Sequence, residues 1–183
     1  MAKVAIFLAE GFEEIEGLTV VDILRRGGIS VDMVSISGAL TVTGSHDITV
    51  TVNKLLAEVQ MGDYDMVVLP GGMPGTRNLQ KCEILTKGLL EFAKTGKAMA
   101  AICAAPVVYG GLGLLKGKKA CCYPGFEEEL EGAEALMEPV VVDGNMITSR
   151  GMGTAIPFAL QLLEIFNGKE AADKMAEGII YNG

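Results

Sequence analysis

The chain has 183 residues, of which 50% are hydrophobic and 21% are charged, and its formal net charge is −8. This length suffices for one domain with a full core, and the acidic balance argues against a nucleic-acid partner, because phosphate binding needs a basic face. His46 is the one histidine, which excludes multi-histidine metal centres, and the four cysteines form no CxxC pair. We therefore expect a small neutral or electrophilic metabolite as the ligand, with no metal and no cofactor.

The N-terminal segment and one uncharged stretch bear on localisation. The apolar run 4–8 is too short for the core of a signal peptide, and acidic residues follow from Glu10. Residues 98–115 are uncharged over nearly the length of a membrane span, but they include Pro106 and three glycines, so a strand, a turn and a buried helix explain them better. We expect a cytoplasmic protein with no membrane partner, in which the cysteines are free thiols.

Short apolar runs alternate with helical patterns along the chain, which is typical of a parallel sheet covered by helices on both faces. The predicted elements, in chain order, are a strand at 4–8, a helix at 14–26, a strand at 31–36, a hairpin at 40–52, a strand at 65–69, a helix at 84–93, a strand at 98–102, a helix from 104 onward, a strand at 119–122, a short acidic helix at 125–130, a hairpin at 139–148, and helices at 154–166 and 170–175. The spacing in helix 14–26 directs Ile15, Leu18, Val21 and Ile23 inward. No repeat or linker interrupts the pattern, so the sequence predicts one α/β domain over residues 1–183.

The first candidate for chemistry is Cys103, because sites in open α/β sheets form at the carboxyl ends of strands. Cys103 lies between the strand 98–102 and the next helix, with alanines on both sides, as an abrupt strand-to-helix turn requires. A thiol at a helix N-terminus is favoured as the thiolate, so we expect a lowered pKa. The alternative is that Cys103 is simply a small buried hydrophobic residue.

Two further segments end strands at the same edge of the predicted sheet. The glycine-rich loop 70–75 could present backbone amides to Cys103, or it could be an ordinary turn. Glu13, Glu14 and Glu16 follow the first strand, where acids commonly complement the helix dipole. Glu16 is the better placed to hydrogen-bond a thiol as an acid or a general base, although periodicity alone does not choose among the three.

The remaining reactive residue types favour structural roles. We expect Cys82 at a surface or packing position, and Cys121 and Cys122 in the core rather than in a mutual disulfide. His46, in a hairpin loop, is more typical of a solvated histidine than of a catalytic one. The acidic run 127–129 is typical of a solvated helix face.

Over essentially its whole length the chain resembles the ThiJ/PfpI superfamily, specifically the branch of the Parkinsonism-associated protein deglycase. The resemblance rests on four segments in the same order: 9–16, 67–72 with Asn78–Leu79, 100–106 and 148–154. It implies a flavodoxin-like three-layer sandwich, with a mostly parallel sheet, helices on both faces and a β-hairpin excursion. It also implies a homodimer, with which the mean hydropathy of +0.38 agrees.

The resemblance assigns roles to individual residues. Cys103 matches the reactive cysteine, Glu16 the glutamate that hydrogen-bonds it, and Gly72 and Ala104 supply the amides that face the sulfur. Arg26 matches the dimer-side arginine of relatives, and a second basic position of the family falls at His46. With Glu13 and Tyr123, these two residues are the further candidates for lining the site.

Two departures from the pattern limit the chemistry. PfpI-type proteases carry a histidine directly after the cysteine, where this chain has Ala104, and the deglycase branch often has a histidine before a proline, where this chain has Tyr123 before Pro124. No histidine is therefore evident beside Cys103, and Glu16 has to move the proton.

Three functions follow as hypotheses. The first is a glyoxalase-like or deglycase-like enzyme that binds a small aldehyde through a Cys103 hemithioacetal. The second is an oxidative-stress sensor or redox-controlled chaperone in which Cys103 becomes a sulfinic acid. The third, an intracellular cysteine peptidase, is disfavoured because the adjacent histidine is missing.

Overall fold

A seven-stranded sheet forms the centre of the structure, a computed structural model that describes residues 1–183. The strands are β1 (Lys3–Leu8), β2 (Ser30–Ser35), β3 (Thr41–Thr43), β4 (Thr49–Thr51), β5 (Lys54–Leu55), β6 (Met66–Leu69), β7 (Ala98–Ile102), β8 (Lys119–Ala120), β9 (Glu134–Ala135), β10 (Val140–Asp143) and β11 (Met146–Ser149). The central sheet has the order β10-β11-β7-β6-β1-β2-β5, and only its β10–β11 pair is antiparallel. The pairs β3–β4, antiparallel, and β8–β9, parallel, form two small separate sheets.

Six helices cover the two faces of the central sheet. They are α1 (Glu14–Arg26), α2 (Gly75–Lys81), α3 (Glu83–Ala93), α4 (Pro106–Gly111), α5 (Ala155–Asn167) and α6 (Lys169–Gly178). Residues of β1 alternate between two cores: Ile6 packs with α1 and α5, and Phe7 packs with α3 and α4. Because both faces are covered, β1 is a nearly continuous apolar run rather than an alternating one. The predicted α/β fold is confirmed, and no helix is both long and apolar enough to cross a membrane.

Helix α1 has the predicted bounds, but the prediction of which side chains point inward was partly wrong. Val21 and Ile23 are buried as expected, whereas Ile15 is 49% exposed. The sheet-facing stripe contains Gly17 and Leu24, and Ile15 lies about 160–200° around the helix from it. Glu16 shares the buried stripe, so a carboxyl group rather than an isoleucine points inward at the start of α1.

Other differences from the predicted elements are local. Helix α2 was missed because it follows a run of proline and glycine that is typical of a turn. The predicted strand 119–122 ends at Ala120, and the predicted helix 125–130 contains only one 3₁₀ turn, Glu127–Glu129. The helix predicted from residue 104 begins at Pro106.

Three adjacent central strands, β1, β6 and β7, run in the same direction and end at one edge of the sheet. The segments that follow them begin at residues 9, 70 and 103. The β3–β4 hairpin reaches the same edge, since Gly11 N–H donates to Thr43 O and Ser45 N–H donates to Phe12 O, both at 2.8 Å. The topology thereby brings four separate segments of the chain together.

Candidate active site

Cys103 occupies the turn between β7 and α4 in a strained conformation. Its φ is +64°, a left-handed value that costs a residue with a side chain about 1–3 kcal/mol. The surrounding backbone holds it there: Cys103 N–H donates to Ser149 O at 3.0 Å, and Tyr123 N–H donates to Cys103 O at 2.7 Å. The abrupt turn predicted from the flanking alanines is therefore present.

The glycine-rich loop after β6 packs directly against the cysteine. A Cβ on Gly71 would lie 2.5 Å from Cys103 Cβ and 2.7 Å from Glu16 Oε2, so only glycine fits at this position. Gly72 has a φ of +91°, and a Cβ there would collide with the backbone at Glu13. These contacts bring the amide of Gly72, together with that of Ala104, to the sulfur, where both lower the pKa of the Cys103 thiol.

Glu16 brings a carboxyl group to the sulfur from the first turn of α1. The residue is 1% exposed, and burial raises the pKa of its carboxyl group to about 7. Its Oε2 atom accepts a hydrogen bond from Gly71 N–H at 2.9 Å. Its Oε1 atom is buried and has no hydrogen-bond partner, so one oxygen is fixed and the other is free for a ligand or a proton.

The prediction that the helix N-terminus lowers the pKa of the Cys103 thiol was wrong. Burial raises the pKa of Cys103 to about 12, and the negative charge of Glu16 adds to the increase, more than offsetting the two amides. The helix α4 begins three residues after the thiol and is only 6 residues long. The negative charge of Glu16 disfavours the Cys103 thiolate, whereas the hydrogen bond from the Cys103 thiol lowers the pKa of Glu16, so the two groups titrate as a coupled pair.

A cavity of about 650 Å³ opens above the sulfur. It is lined by Glu13, Glu16, His46, Gly72, Met73, Cys103, Ala104, Tyr123, Pro124, Phe126, Arg150, Gly151, Met152, Gly153 and Thr154. Seven of the eight residues predicted for the site therefore border one space. Arg26 does not: it bonds Asp22 at 2.7 Å and faces a separate groove beside Ile15.

Sequence reasoning missed the wall formed by residues 150–154, together with Met73 and Phe126. Segment 148–154 was recognised only as part of a resemblance, without a role. In the structure Thr154 Oγ1 accepts hydrogen bonds from Arg150 N–H at 3.2 Å and Gly151 N–H at 3.0 Å, which folds the segment into a compact turn. The clue available in the sequence was its place after β11, next to β7 in the sheet.

The other cysteines lie outside the cavity. Cys121 and Cys122 are buried, Cys82 is half-buried at the start of α3, and all are free thiols. Burial raises the pKa of Cys122 to about 12, as expected of a thiol in a core.

Comparison with known proteins shows the family to which the chain belongs. The DJ-1/PfpI family profile matches residues 2–165. The chain belongs to the DJ-1/PfpI family. It is 39% identical over 180 residues to Protein DJ-1 homolog B of Arabidopsis thaliana, which covers 97% of this chain and 41% of that protein. It is 38% identical over 183 residues to Protein dj-1beta of Drosophila melanogaster, which covers 98% of each.

Further relatives bear on fold and activity. The structure of oxidized Toxoplasma gondii DJ-1 superposes with a TM-score of 0.96 at 36% identity and covers 100% of both chains. A Caenorhabditis elegans relative, 32% identical over 167 residues that cover 91% of this chain and 89% of its own, is named glutathione-independent glyoxalase DJR-1.2. The chain spans less than half the length of the two Arabidopsis DJ-1 homologs that it matches. The predicted superfamily is confirmed, and its members include a glyoxalase.

Proposed function

We propose that the protein is a cysteine-dependent enzyme that converts reactive 2-oxoaldehydes, such as methylglyoxal, into 2-hydroxy acids. One observation carries the proposal: Cys103 Sγ lies against the amides of Gly72 and Ala104 and the buried carboxyl group of Glu16. A nucleophile, oxyanion donors and a proton-transfer group then border one cavity. The relative named glutathione-independent glyoxalase supports this reaction class.

In the first step the sulfur adds to the aldehyde carbon. The C–S bond forms as the carbonyl π bond breaks, and the thiol proton passes by way of Glu16 to the new oxygen, which gives a hemithioacetal. The amides of Gly72 and Ala104 stabilise the negative charge on that oxygen before it is protonated. A single oxyanion donor typically contributes about 10²–10³-fold in rate.

In the second step Glu16 moves a proton between neighbouring carbons. Because Oε2 is held by Gly71 N–H, the free Oε1 takes the proton from the former aldehyde carbon, and the electron pair left behind forms an enediolate whose negative charge lies on the neighbouring ketone oxygen. The hydroxyl proton then moves from the first oxygen to the second, and Glu16 returns its proton to the adjacent carbon, which gives a 2-hydroxyacyl thioester on Cys103. Water hydrolyses this thioester to the 2-hydroxy acid and the free thiol, so the net reaction adds one water and needs no oxidant or cofactor.

The cavity volume sets the size of substrate. At about 650 Å³ it is far larger than a three-carbon aldehyde, and apolar side chains of Met73, Phe126 and Met152 contribute to its walls. Larger adducts of a 2-oxoaldehyde with an amine, the substrates of a deglycase, fit the same space.

The test is lactate formation from methylglyoxal by the purified protein without glutathione. Cys103→Ala is expected to abolish turnover, and Glu16→Gln to reduce kcat by about 10²-fold or more, as loss of a general base does. Cys82→Ala, which removes a half-buried thiol outside the cavity, is the matched control and should leave turnover unchanged. Full turnover by Cys103→Ala would overturn the proposal.

The second candidate function is an oxidation sensor or redox-controlled chaperone at the same thiol. The cavity leaves Cys103 half-buried rather than sealed, and the Gly72 and Ala104 amides could hold sulfinate oxygens. Intact-mass measurement after mild peroxide should show two added oxygens that map to Cys103, whereas an inert thiol would rule the role out. A peptidase remains disfavoured, because Ala104 occupies the position after the cysteine.

We also propose that the protein is a homodimer that works in the cytoplasm. Exposed apolar side chains border the groove on the outer face of α1, among them Ile15, Ile48, Ile156 and Ile180. Burial of this surface against a second copy removes a patch that water disfavours, and it places Arg26 beside the interface. Four free thiols suit a reducing compartment.

A further inference from the structure

Aromatic and thioether side chains line part of the cavity above Cys103, and the reaction proposed for methylglyoxal does not need them. Tyr123 and Phe126 border the cavity, and their rings pack edge to face with centroids 6.5 Å apart and planes at 69°. Met73 and Met152 border the same space. We propose that these four side chains form a binding site for an aryl group, here called the aryl site, so that the preferred substrates are 2-oxoaldehydes with an aromatic substituent. This inference rests on the function proposed above.

The exposure of these side chains indicates a ligand-binding surface. Met73 is 39% exposed, Tyr123 50% and Met152 53%, and the three meet around one concave space. A single exposed apolar residue is ordinary, whereas a concave group of them marks a binding groove. The volume of about 650 Å³ lies in the range of pockets that enclose drug-sized molecules, so a three-carbon aldehyde leaves most of it to water. A bulky apolar substituent fills that remainder.

The position of Gly151 shows where such a substituent meets the reacting group. A Cβ at Gly151 would lie 3.3 Å from Tyr123 Cδ2 and 4.0 Å from Glu16 Oε1. Glu16 is 1% exposed, and its Oε1 atom is the buried oxygen that has no hydrogen-bond partner. The absence of a side chain at Gly151, which borders the cavity, therefore leaves a space between the Tyr123 ring and the free carboxyl oxygen.

The proposed reaction places the aryl group in this space. In an arylglyoxal the ring is carried by the ketone carbon, next to the aldehyde carbon to which Cys103 adds. That ketone carbon is the one to which Glu16 returns the proton, so it has to lie beside Glu16 Oε1. A ring attached to it then lies against Tyr123, within contact distance of the same point.

The aromatic wall is held in place from outside the cavity. The Arg77 guanidinium lies 5.8 Å from the centroid of the Phe126 ring. Glu129 fixes this guanidinium, because Arg77 Nη2 donates to Glu129 Oε1 at 2.7 Å and Arg77 Nη1 donates to Glu129 Oε2. Tyr123 N–H donates to Cys103 O at 2.7 Å, and Phe126 N–H donates to Tyr123 O at 3.2 Å. A wall ordered in advance loses little conformational entropy when a ligand binds.

The chemistry of the four side chains selects an aryl group over other substituents. Aromatic rings attract one another in edge-to-face and offset arrangements, and thioether sulfur makes favourable contacts with ring edges. An alkyl chain of the same size would gain only the burial of its surface. A charged substituent would exchange its hydration for ring and thioether atoms, which is unfavourable. The expected substituent is therefore neutral, planar and aromatic.

Comparison of phenylglyoxal with methylglyoxal tests the aryl site. The measure is the ratio of kcat/KM for phenylglyoxal to that for methylglyoxal, and it should exceed one in the wild-type protein. Tyr123→Leu should lower the ratio about tenfold, whereas Tyr123→Phe, which keeps the ring, should hold it within about threefold of wild type. A wild-type ratio below one, or a ratio that Tyr123→Leu leaves unchanged, would overturn the proposal.

Added methyl groups test the space beside Glu16 independently of the aromatic ring. Gly151 has a φ of 166°, which alanine adopts without strain, and Gly151→Ala fills the space between Tyr123 and Glu16 Oε1. This variant should lower the same ratio about tenfold. Gly62→Ala is the matched control, because its methyl group meets nothing within 4 Å and lies outside the cavity. It should leave the rates with both substrates unchanged.

Binding of unreactive analogues separates the aryl site from the proposed reaction. Styrene glycol and propylene glycol are the fully reduced forms of phenylglyoxal and methylglyoxal, and Cys103→Ala removes the nucleophile. In titrations followed by NMR, this variant should bind styrene glycol at least about tenfold more tightly than propylene glycol, and Tyr123→Leu in the same background should remove the difference. That result in a protein that does not turn over methylglyoxal would support the aryl site while the proposed reaction fails. Equal binding of the two glycols would overturn the aryl site, whatever the outcome of the methylglyoxal assay.

Discussion

Substitution of Glu16 by glutamine tests the electrostatics on which the site depends. In the wild-type protein burial raises the pKa of Glu16 to about 7 and that of Cys103 still further, so just above pH 7 the pair holds one proton. Alkylation requires the thiolate, which exists in this range only when the shared proton lies on Glu16. The position of that proton does not depend on pH. The alkylation rate of Cys103 should therefore rise up to about pH 7 and then stay level.

In Glu16→Gln the thiol titrates alone. Removal of the like charge lowers its pKa from about 12 by about 1–3 pH units, because burial remains and the amides of Gly72 and Ala104 still stabilise the thiolate. Below that pKa the rate should rise about tenfold for each pH unit, with no plateau at neutral pH. The two proteins should therefore differ in the shape of the profile as well as in its level.

The assay is iodoacetamide labelling from about pH 5 to about pH 10, with the Cys103 peptide followed by mass spectrometry. Glu13→Gln is the matched control, since it removes a carboxylate that lines the same cavity and should keep the plateau. If the wild-type protein and Glu16→Gln showed the same slope through pH 7, Glu16 and Cys103 would not share a proton. The proton transfers assigned to Glu16 would then lose their basis.

Three further predictions concern stability and assembly. Burial raises the folded-state pKa of Glu16 from 4.5 to about 7, so the free energy of unfolding falls by up to about 3 kcal/mol as the pH rises between these values. Glu16→Gln removes this loss, and thermal denaturation should therefore show a larger increase in Tm at pH 8 than at pH 5. Gly71→Ala should reduce methylglyoxal turnover at least as much as Glu16→Gln, because the new Cβ at position 71 would displace Cys103 and Glu16. A Cys103 labelling rate equal to that of the wild-type protein would show that no displacement occurs. Ile15→Asp should convert a dimer into a monomer in light scattering, whereas Ile84→Asp, at a position 69% exposed on α3, should not.

The sequence predicted the sheet and most of the site because those features depend on local pattern. Strands β1, β6 and β7 are short apolar runs, and the topology rule for parallel sheets places the residues that follow them at one edge. The predicted inward direction of Ile15 was wrong because an exposed apolar side chain has the same sequence signature as one in the core. The raised pKa of Cys103 was missed because it depends first on burial in the folded protein and then on the charge of Glu16, which lies far away in sequence, and no local pattern encodes either effect.

The cluster of His46 with Glu13 and Glu14 shows another limit of sequence reasoning. A lone loop histidine is usually solvated, and His46 is indeed largely exposed at its ring. What brings it to two carboxylates is the hydrogen bonding of the β3–β4 turn to the backbone near Phe12, a contact between segments more than thirty residues apart.

Two features of the site destabilise the folded protein, and this destabilisation is itself an argument for function. The positive φ of Cys103 costs about 1–3 kcal/mol, and the buried carboxyl group of Glu16 about 3 kcal/mol above pH 7. Neither feature improves packing, because a glycine at position 103 would relieve the strain and a glutamine at position 16 would relieve the charge. Backbone strain and a buried ionisable group coincide at the carboxyl ends of the central strands, next to an open cavity. Natural proteins concentrate such destabilising features where chemistry requires them, which supports the role proposed for the Glu16–Cys103 pair.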